Sequence, residues 1–473
     1  GDILDSRRSK YDLKYYLKLA KNIENSGAHI LAIKDMAGLL KPYAAYELIA
    51  ALKVKVKIPI HLHTHDTSSL QPAMYLKAVE AGVDVIDVAL GGVSGLTSQP
   101  NFNSIVEMMK FHKRENKIDI EKLNQFSNYW EDVREYYYPF ESGMKSSSAE
   151  VFYHEMPGGQ YSNLIQQASG LGVGDKFEEI KKTYRDVNLL FGDLVKVTPS
   201  SKVVGDMTLF MISNSLTAND ILEKGDTLSF PESVQGFFRG DLGQPPGGFP
   251  KQLQKLVLKD KKPYTNRPNA HLKPVDFDKE FEEFKTKFNE KDLGRTLDIT
   301  DFLSYKMYPK VFEDTFKKWV EYGFVSRIPT KNFFYGLDQN EETIIEFAPG
   351  KAIIVRLLTV GPPKENGMRT VFFKVNGQTR NIEALDRSLN IKKEENQKAE
   401  SGNPKQVGAP LQGVLSKVFV KKGQVVKKND PLFVIEAMKM ETTVTASSEA
   451  EVKNISIKEG GRVNADDLIV ILN

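Results

Sequence analysis

Three of the chain's seven histidines fall within five residues, His61-Leu62-His63-Thr64-His65, and Asp66 follows directly. In an extended strand, alternate side chains share a face, so these three imidazoles point the same way and two of them can reach one ion. A divalent ion held by imidazole and oxygen groups polarises a carbonyl oxygen and offsets the negative charge of an enolate. A single histidine at a strand end more often bonds to a neighbouring loop. The His-x-His-x-His-Asp spacing, with a second polar strand end at Lys34-Asp35, favours a metal instead. The chain has no cysteine, which excludes disulfides and thiolate chemistry, so any metal must use histidine, carboxylate or a modified side chain.

A second reactive position lies near the C-terminus, in Glu436-Ala437-Met438-Lys439-Met440-Glu441. Around it the sequence repeats at an offset of 37: Ala409, Leu415, Val418, Val420, Gly423, Val426, Asp430 and Leu432 match Ala446, Val452, Ile455, Ile457, Gly460, Val463, Asp467 and Ile469. Two similar β halves are expected, with Lys439 on the connection between them. A lysine held into solvent on a turn suits enzymatic acylation. An isolated tetrapeptide of this kind is usually an ordinary turn; the surrounding repeat is what singles it out.

The elements that must carry these groups follow from periodicity. Leu13, Tyr16, Leu17, Ala20 and Ile23 recur at helical spacing, with Gly27 at the expected end. The apolar run His29–Ile33 reads as a strand buried on both faces and leads into Lys34. A helix over Tyr43–Val54 and a strand over Ile58–His63 repeat the scheme. So do a helix over Leu70–Ala81 and a strand over Val83–Leu90, which ends in Gly91-Gly92-Val93-Ser94-Gly95. Alternation of this kind builds a parallel β/α sheet. Lys34, Asp35, His63, His65 and Asp66 all sit at strand C-terminal ends, where a β/α barrel gathers its reactive groups. Only three strands precede a change of pattern, whereas a closed barrel needs eight.

Segment by segment, a multidomain α/β chain is expected: a partial TIM (β/α) barrel over residues 1–120, a helical extension over 121–300 and a small α+β linking element over 301–390. A flexible linker over 391–406 and an all-β domain over 407–473, a flattened barrel or sandwich, complete it. Asn376-Gly377 marks a hairpin turn within the linking element, and the Lys-, Glu-, Gln- and Asn-rich stretch from Lys392 to Gln406 has too little apolar surface to pack. A length of 473 residues accommodates about three domains at ~150 residues each. With 65 Lys and Arg against 62 Asp and Glu, there is no field to attract nucleic acid or acidic membranes. The absence of a membrane-length apolar run or a signal peptide points to a cytoplasmic location. The start at Gly1-Asp2 suggests a piece of a longer protein.

Ala437-Met438-Lys439-Met440 within its two-fold repeat resembles the biotinyl domain of biotin-dependent carboxylases. Ile33-Lys34-Asp35-Met36-Ala37-Gly38 and His61-Leu62-His63-Thr64-His65-Asp66 resemble the metal-site motifs of the carboxyltransferase domain of pyruvate carboxylases. Met156-Pro157-Gly158-Gly159-Gln160-Tyr161, Lys196-Val197-Thr198-Pro199-Ser200-Ser201-Lys202 and Val371–Gln378 are also similar to that family. The resemblance implies biotin covalently attached to Lys439, and a divalent metal, Mn or Zn, held by carbamylated Lys34, His63 and His65. By the same resemblance Thr198 shuttles a proton between pyruvate and biotin, while Ser201 and Lys202 line the biotin pocket. The implied reaction moves a carboxyl group from carboxybiotin to pyruvate, giving oxaloacetate.

The family's remaining aspartate ligand and substrate-binding arginines come from barrel strands this chain does not contain. No Gly-rich phosphate loop is present, because Gly91–Gly95 lacks the Lys-Ser or Lys-Thr that would follow. The implied partners are therefore the N-terminal half of the barrel and a biotin carboxylase domain, upstream or in trans. A biotin protein ligase and a homotetrameric assembly are implied as well. Two alternatives stand beside this: an oxaloacetate decarboxylase α subunit running the chemistry in reverse, and a non-catalytic biotin carrier or assembly module.

Overall fold

The computed structural model describes residues 3–6, 10–289, 293, 295–386, 388–389, 396–400, 402–437 and 440–473. Lys439 and Met438 lie outside the described residues, as do 391–395 of the expected linker. Two compact units divide the chain: Gly1–Ala270 together with Glu395–Asn473, and His271–Glu394.

The first unit opens with three β/α repeats: α1 (Leu13–Asn25), β1 (Leu31–Asp35), α2 (Pro42–Lys55), β2 (Ile60–Thr64), α3 (Gln71–Glu80) and β3 (Val85–Ile86). The Asp12 side chain caps α1 by accepting from the Tyr15 N–H at 2.7 Å. Proline opens α2, where its missing N–H costs nothing. The strands form a parallel sheet in the order β1-β2-β3, with Lys34 opposite His63 and His61 opposite Val85. Ile60 and Leu62 are fully buried with Ala44, Ile49, Met74, Tyr75 and Ala78 of α2 and α3. Strand alternation therefore turns His61 and His63 to the other face of β2.

The third strand is shorter than its apolar run suggests. The Asp84 carboxylate accepts from the Ile60 N–H at 2.8 Å, and the Asp87 N–H still reaches Leu62 O at 3.2 Å. Beyond that the backbone turns away, and the Ala89 N–H bonds to Pro100 O at 3.0 Å instead. An apolar run marks burial, but a strand also needs a neighbour for its hydrogen bonds.

Helices from Ile120–Glu135 to Lys251–Leu258 follow. Their core gathers Leu164, Tyr184, Phe191, Val204, Met207 and Phe238.

In the second unit, the helices Phe277–Lys287, Ile299–Met307 and Pro309–Tyr322 close over a cluster of Phe284, Phe288, Phe302 and Phe312. An antiparallel sheet runs in the order β4 (Glu342–Ala348), β5 (Lys351–Val360), β6 (Met368–Val375) and β7 (Gln378–Leu385). Asn376 and Gly377 take φ of 46° and 86° in the expected hairpin turn, which pairs Val375 with Gln378. The expected boundary between residues 300 and 301 does not coincide with this division. Residues 271–300 belong with the second unit, because the Phe284 and Phe302 rings lie 5.7 Å apart in one core.

The last segment is a sandwich of two four-stranded sheets, built from β8 (Gln406–Gly408), β9 (Gly413–Val418), β10 (Val425–Val426), β11 (Pro431–Ala437), β12 (Met440–Thr445), β13 (Ala450–Ile455), β14 (Arg462–Val463) and β15 (Leu468–Leu472). The sheet orders are β10-β13-β15-β8 and β12-β11-β9-β14. The 37-residue repeat appears as a two-fold exchange of hydrogen bonds. The Gly423 N–H bonds to Val452 O at 2.7 Å and the Gly460 N–H to Leu415 O at 2.8 Å. Likewise the Asn429 N–H bonds to Ala446 O and the Asp466 N–H to Ala409 O, both at 2.8 Å.

Part of the expected flexible linker is held on this sandwich. Asn396 donates to Asp467 at 2.8 Å, the Leu468 N–H to Gln397 O at 2.8 Å and the Ala399 N–H to Asp466 O at 2.7 Å. Asp467 is 1% exposed, and Lys398 lies 2.9 Å from it. A buried carboxylate needs such partners, a demand that composition does not reveal.

Candidate metal centre and carrier contact

The register of β1, β2 and β3 brings the metal-site candidates together. His63 lies opposite Lys34 on one side, while on the other its Nδ1 meets Asp87 Oδ2 at 2.8 Å. His61 Nε2 takes the other oxygen of Asp87 at 2.6 Å. Burial alone would push the Asp87 carboxyl up, but hydrogen bonds and charge from His61 and His63 hold it below the usual carboxylate range. His65, just past the end of β2, is 9% exposed and bonds through Nδ1 to Thr97 O at 2.6 Å. Burial pushes the His65 imidazolium pKa down, which favours the neutral ring.

These contacts determine which nitrogens are free. A backbone carbonyl can only accept, so His65 Nδ1 carries the proton, and the Asp87 carboxylate makes the same demand of His63 Nδ1. In the neutral rings both Nε2 atoms then bear lone pairs, and they face one another at 3.3 Å. Two lone pairs at that separation are reconciled by a cation between them, a proton or a metal ion. Ligands bound at about 2.0–2.1 Å in a tetrahedral shell are separated by roughly this much. Metal-bound histidines commonly donate the other ring N–H to a carboxylate or backbone carbonyl, as both do here. The pair therefore fits a divalent ion. Among the described residues, no group of three or more His, Asp or Glu side chains is placed to hold a metal ion. Lys34 neighbours His63 in the sheet register. It lines a cavity of ≈ 250 Å³ with Asp35, Met36, Glu155, Lys196 and Val197.

Asp35 and Asp66 serve the loops. Asp35 accepts from the Leu39 and Leu40 N–H groups, both at 2.9 Å, and from Thr64 Oγ1 at 3.1 Å. Asp66 accepts from the Gln71 N–H at 3.2 Å at the start of α3, and burial raises its pKa to about 6.

The segment Lys196–Lys202 leads into the helix Ser200–Ser213. Lys196 forms a buried ion pair with Glu155 at 2.9 Å, and Val197 shares the cavity with Lys34. Thr198 is exposed at the turn that follows, Ser201 is buried and the Lys202 side chain is half-exposed. The sandwich domain rests on the same helical region: Thr442 of β12 pairs in antiparallel fashion with Pro231, and apolar residues from both sides share one core. Ala437 pairs with Met440 across the end of the β11–β12 ladder, and Lys439 itself stays outside the described residues.

Several residues that sequence reasoning passed over act here. Asp87 orients two histidines; its signal was its position in a strand whose parallel register puts it beside His63. Thr97 meets His65 through its backbone carbonyl, while its Oγ1 lies 3.1 Å from Ser162 Oγ. Gly158 presses on His65: a Cβ there would sit 2.8 Å from both His65 Nδ1 and Thr97 O. That contact accounts for a glycine in Met156–Tyr161, and only tertiary packing reveals it.

Comparison with known proteins accords with this organisation. Residues 5–129 match the HMGL-like family, 151–356 the conserved carboxylase domain and 405–472 the biotin-requiring enzyme domain. Fold and domain order place the chain in the class of biotin-dependent carboxylases. Within that class, the chain belongs to the pyruvate carboxylase family. It is 50% identical over 472 residues to pyruvate carboxylase of Bacillus subtilis, covering 99% of this chain and 40% of that relative. The Staphylococcus aureus enzyme is 48% identical over 471 residues, again with 99% and 40% covered. The chain thus spans about 40% of the length of these relatives. A crystal structure of complete multifunctional pyruvate carboxylase from Rhizobium etli is similar over 100% of this chain and 43% of its own, with TM-score 0.73 and 47% identity. The carboxyl transferase domain of that enzyme, solved with pyruvate and biocytin, is similar over 82% of this chain and 64% of its own, with TM-score 0.75 and 49% identity.

Proposed function

We propose that this chain provides the carboxyl-transfer half of a pyruvate carboxylase, accepting a carboxyl group carried by biotin on Lys439 and delivering it to pyruvate to form oxaloacetate. The observation that carries this is a domain matching the biotin-requiring enzyme family, seated in the same compact unit as the paired imidazoles of His63 and His65.

His63 and His65 would hold a divalent metal, Mn or Zn, through Nε2, with Asp87 and Thr97 O fixing the two rings. Lys34 would be the third ligand after carbamylation, in which the neutral amine adds CO₂ and loses a proton to give a carboxylate-like group. Bound there, the ion supplies positive charge that favours enolisation of pyruvate. The Thr198 hydroxyl would give its proton to the biotin ring nitrogen as the N–carboxyl bond breaks and CO₂ leaves, and would recover a proton from the pyruvate methyl group, which becomes the enolate. Ser201 and Lys202, in the next turn of chain, contact that ring. Exclusion of water around these groups protects the enolate and CO₂ until they combine.

The remaining components are the N-terminal half of the barrel and a biotin carboxylase domain that charges biotin with ATP and bicarbonate, together with a biotin protein ligase. A homotetramer in the cytoplasm is part of the same proposal. Among the described residues, no helix is long and apolar enough to cross a membrane.

The test is a streptavidin blot of native-source lysate with the biotinylated peptide identified by mass, followed by assay of the purified enzyme. Biotin on Lys439 and ATP-dependent oxaloacetate formation are expected. Absence of biotin at Lys439 would overturn the assignment. Oxaloacetate decarboxylation without any ATP-dependent reverse reaction would point to the decarboxylase instead.

A further inference from the structure

The helix Ser200–Ser213 carries a carboxylate into an apolar core. Asp206 is 1% exposed, surrounded in sequence by Val203, Val204, Met207, Leu209 and Phe210, each 3% exposed or less. Its Oδ2 accepts from Ser233 Oγ at 2.6 Å and pairs with the Lys202 ammonium one turn earlier. Its Oδ1 is buried with no hydrogen-bond partner among the described residues. Burial pushes this carboxyl pKa up, against the pull of Lys202 and Ser233. A buried carboxylate with one oxygen unmatched is poor core packing, and an apolar residue of similar size would serve stability better. What Asp206 holds is therefore more informative than what surrounds it.

Its two partners face different components. Lys202 is the half-exposed lysine assigned above to the biotin ring. Ser233 lies two residues beyond Pro231, the backbone on which the carrier rests through Thr442, and Thr442 is three residues beyond Lys439. One carboxylate thus ties the lysine expected to meet biotin to the segment against which the carrier docks.

We infer that Asp206 is a positioning residue for carboxyl transfer: it fixes the Lys202 ammonium and, through Ser233, sets it relative to the docked carrier. A lysine side chain has four rotatable bonds, and a charge-assisted bond to a rigid buried acceptor selects one arrangement from many. This inference rests on the proposed function, in which Lys202 contacts biotin.

The test uses the full-length enzyme, with oxaloacetate decarboxylation driven by free biotin as the assay. The variants are Asp206→Asn, Ser233→Ala, Lys202→Met and the double variant Asp206→Asn with Lys202→Met. Asp206→Asn and Lys202→Met should each raise the KM for free biotin roughly tenfold, and Ser233→Ala about threefold, with the KM for oxaloacetate unchanged. Because Asp206 acts through Lys202, the double variant should be no worse than Lys202→Met alone; a structural defect would add to it. An unchanged biotin KM in Asp206→Asn and Ser233→Ala, with Lys202→Met impaired, overturns the positioning role and leaves the biotin-pocket assignment standing. If Lys202→Met is also without effect, the pocket assignment fails and the positioning role with it. Should Asp206→Asn fail to fold, Ser233→Ala decides.

Discussion

His63 Nε2 and His65 Nε2 stand 3.3 Å apart, each ring anchored through its Nδ1, the first to Asp87 and the second to Thr97 O. The pair is aimed by groups on the far side of each ring from the proposed metal position. Asp87→Ala should therefore weaken metal binding by about ten- to a hundredfold although both imidazoles remain. Metal titration of the full-length enzyme checks this, and wild-type affinity in the variant would show that the rings need no orienting carboxylate.

Gly158 and Gly159 form a matched pair. A methyl group at Gly158 would collide with His65 Nδ1 and Thr97 O, whereas one at Gly159 meets nothing within 4 Å. Gly158→Ala should break the bond that orients His65 and weaken metal binding. Gly159→Ala should leave it intact and stabilise the helix Gly158–Gly170 by up to about 1 kcal/mol. Equal metal affinities in the two variants would contradict the packing described.

His154 is buried, with Nδ1 accepting from the Met156 N–H at 3.0 Å. Burial, with the Lys181 charge adding to it, lowers its pKa from 6.5 to about 4. Between those values the unfolded state binds the extra proton more readily, so stability rises with pH. The contribution is complete above about pH 6.5 and is lost as pH falls toward 4, amounting to roughly 3 kcal/mol at most. Asp66, raised to about 6 by burial, works in the opposite direction over part of the same range. The variant His154→Asn retains an acceptor for Met156 and removes the titration, while the packing lost with the ring beside Tyr161 costs the same at both pH values. The stability difference between wild type and variant, from denaturant unfolding at pH 7.5 and about 4.5, should shift against the wild type at the lower pH; a pH-independent difference would refute it.

The carrier contact can be trapped directly. Paired residues in an antiparallel ladder have Cα atoms about 4.5–5.5 Å apart, within the range a disulfide spans. Because these 473 residues include no cysteine, Pro231→Cys combined with Thr442→Cys introduces the only pair within them. Mild oxidation should consume both thiols and yield a linked peptide in a digest. Persistence of two free thiols would mean that the carrier does not rest there in solution.

Features encoded over short distances were legible in the residues themselves: the β/α alternation, the hairpin at Asn376-Gly377, the 37-residue repeat and the clustering of His61, His63 and His65. Periodicity and turn chemistry act between near neighbours, and a duplicated half-domain leaves its pattern in both copies. The shortened β3, the assignment of residues 271–300 to the second unit and the seating of residues 396–400 on the sandwich came only with the tertiary structure. So did the Asp87 and Thr97 anchors, the pressure of Gly158 on His65 and the burial of Asp206 between Lys202 and Ser233. Each depends on segments distant in the chain meeting in space. A carboxylate or a glycine has the same letter whether it faces water, a histidine ring or a lysine, and only packing decides which.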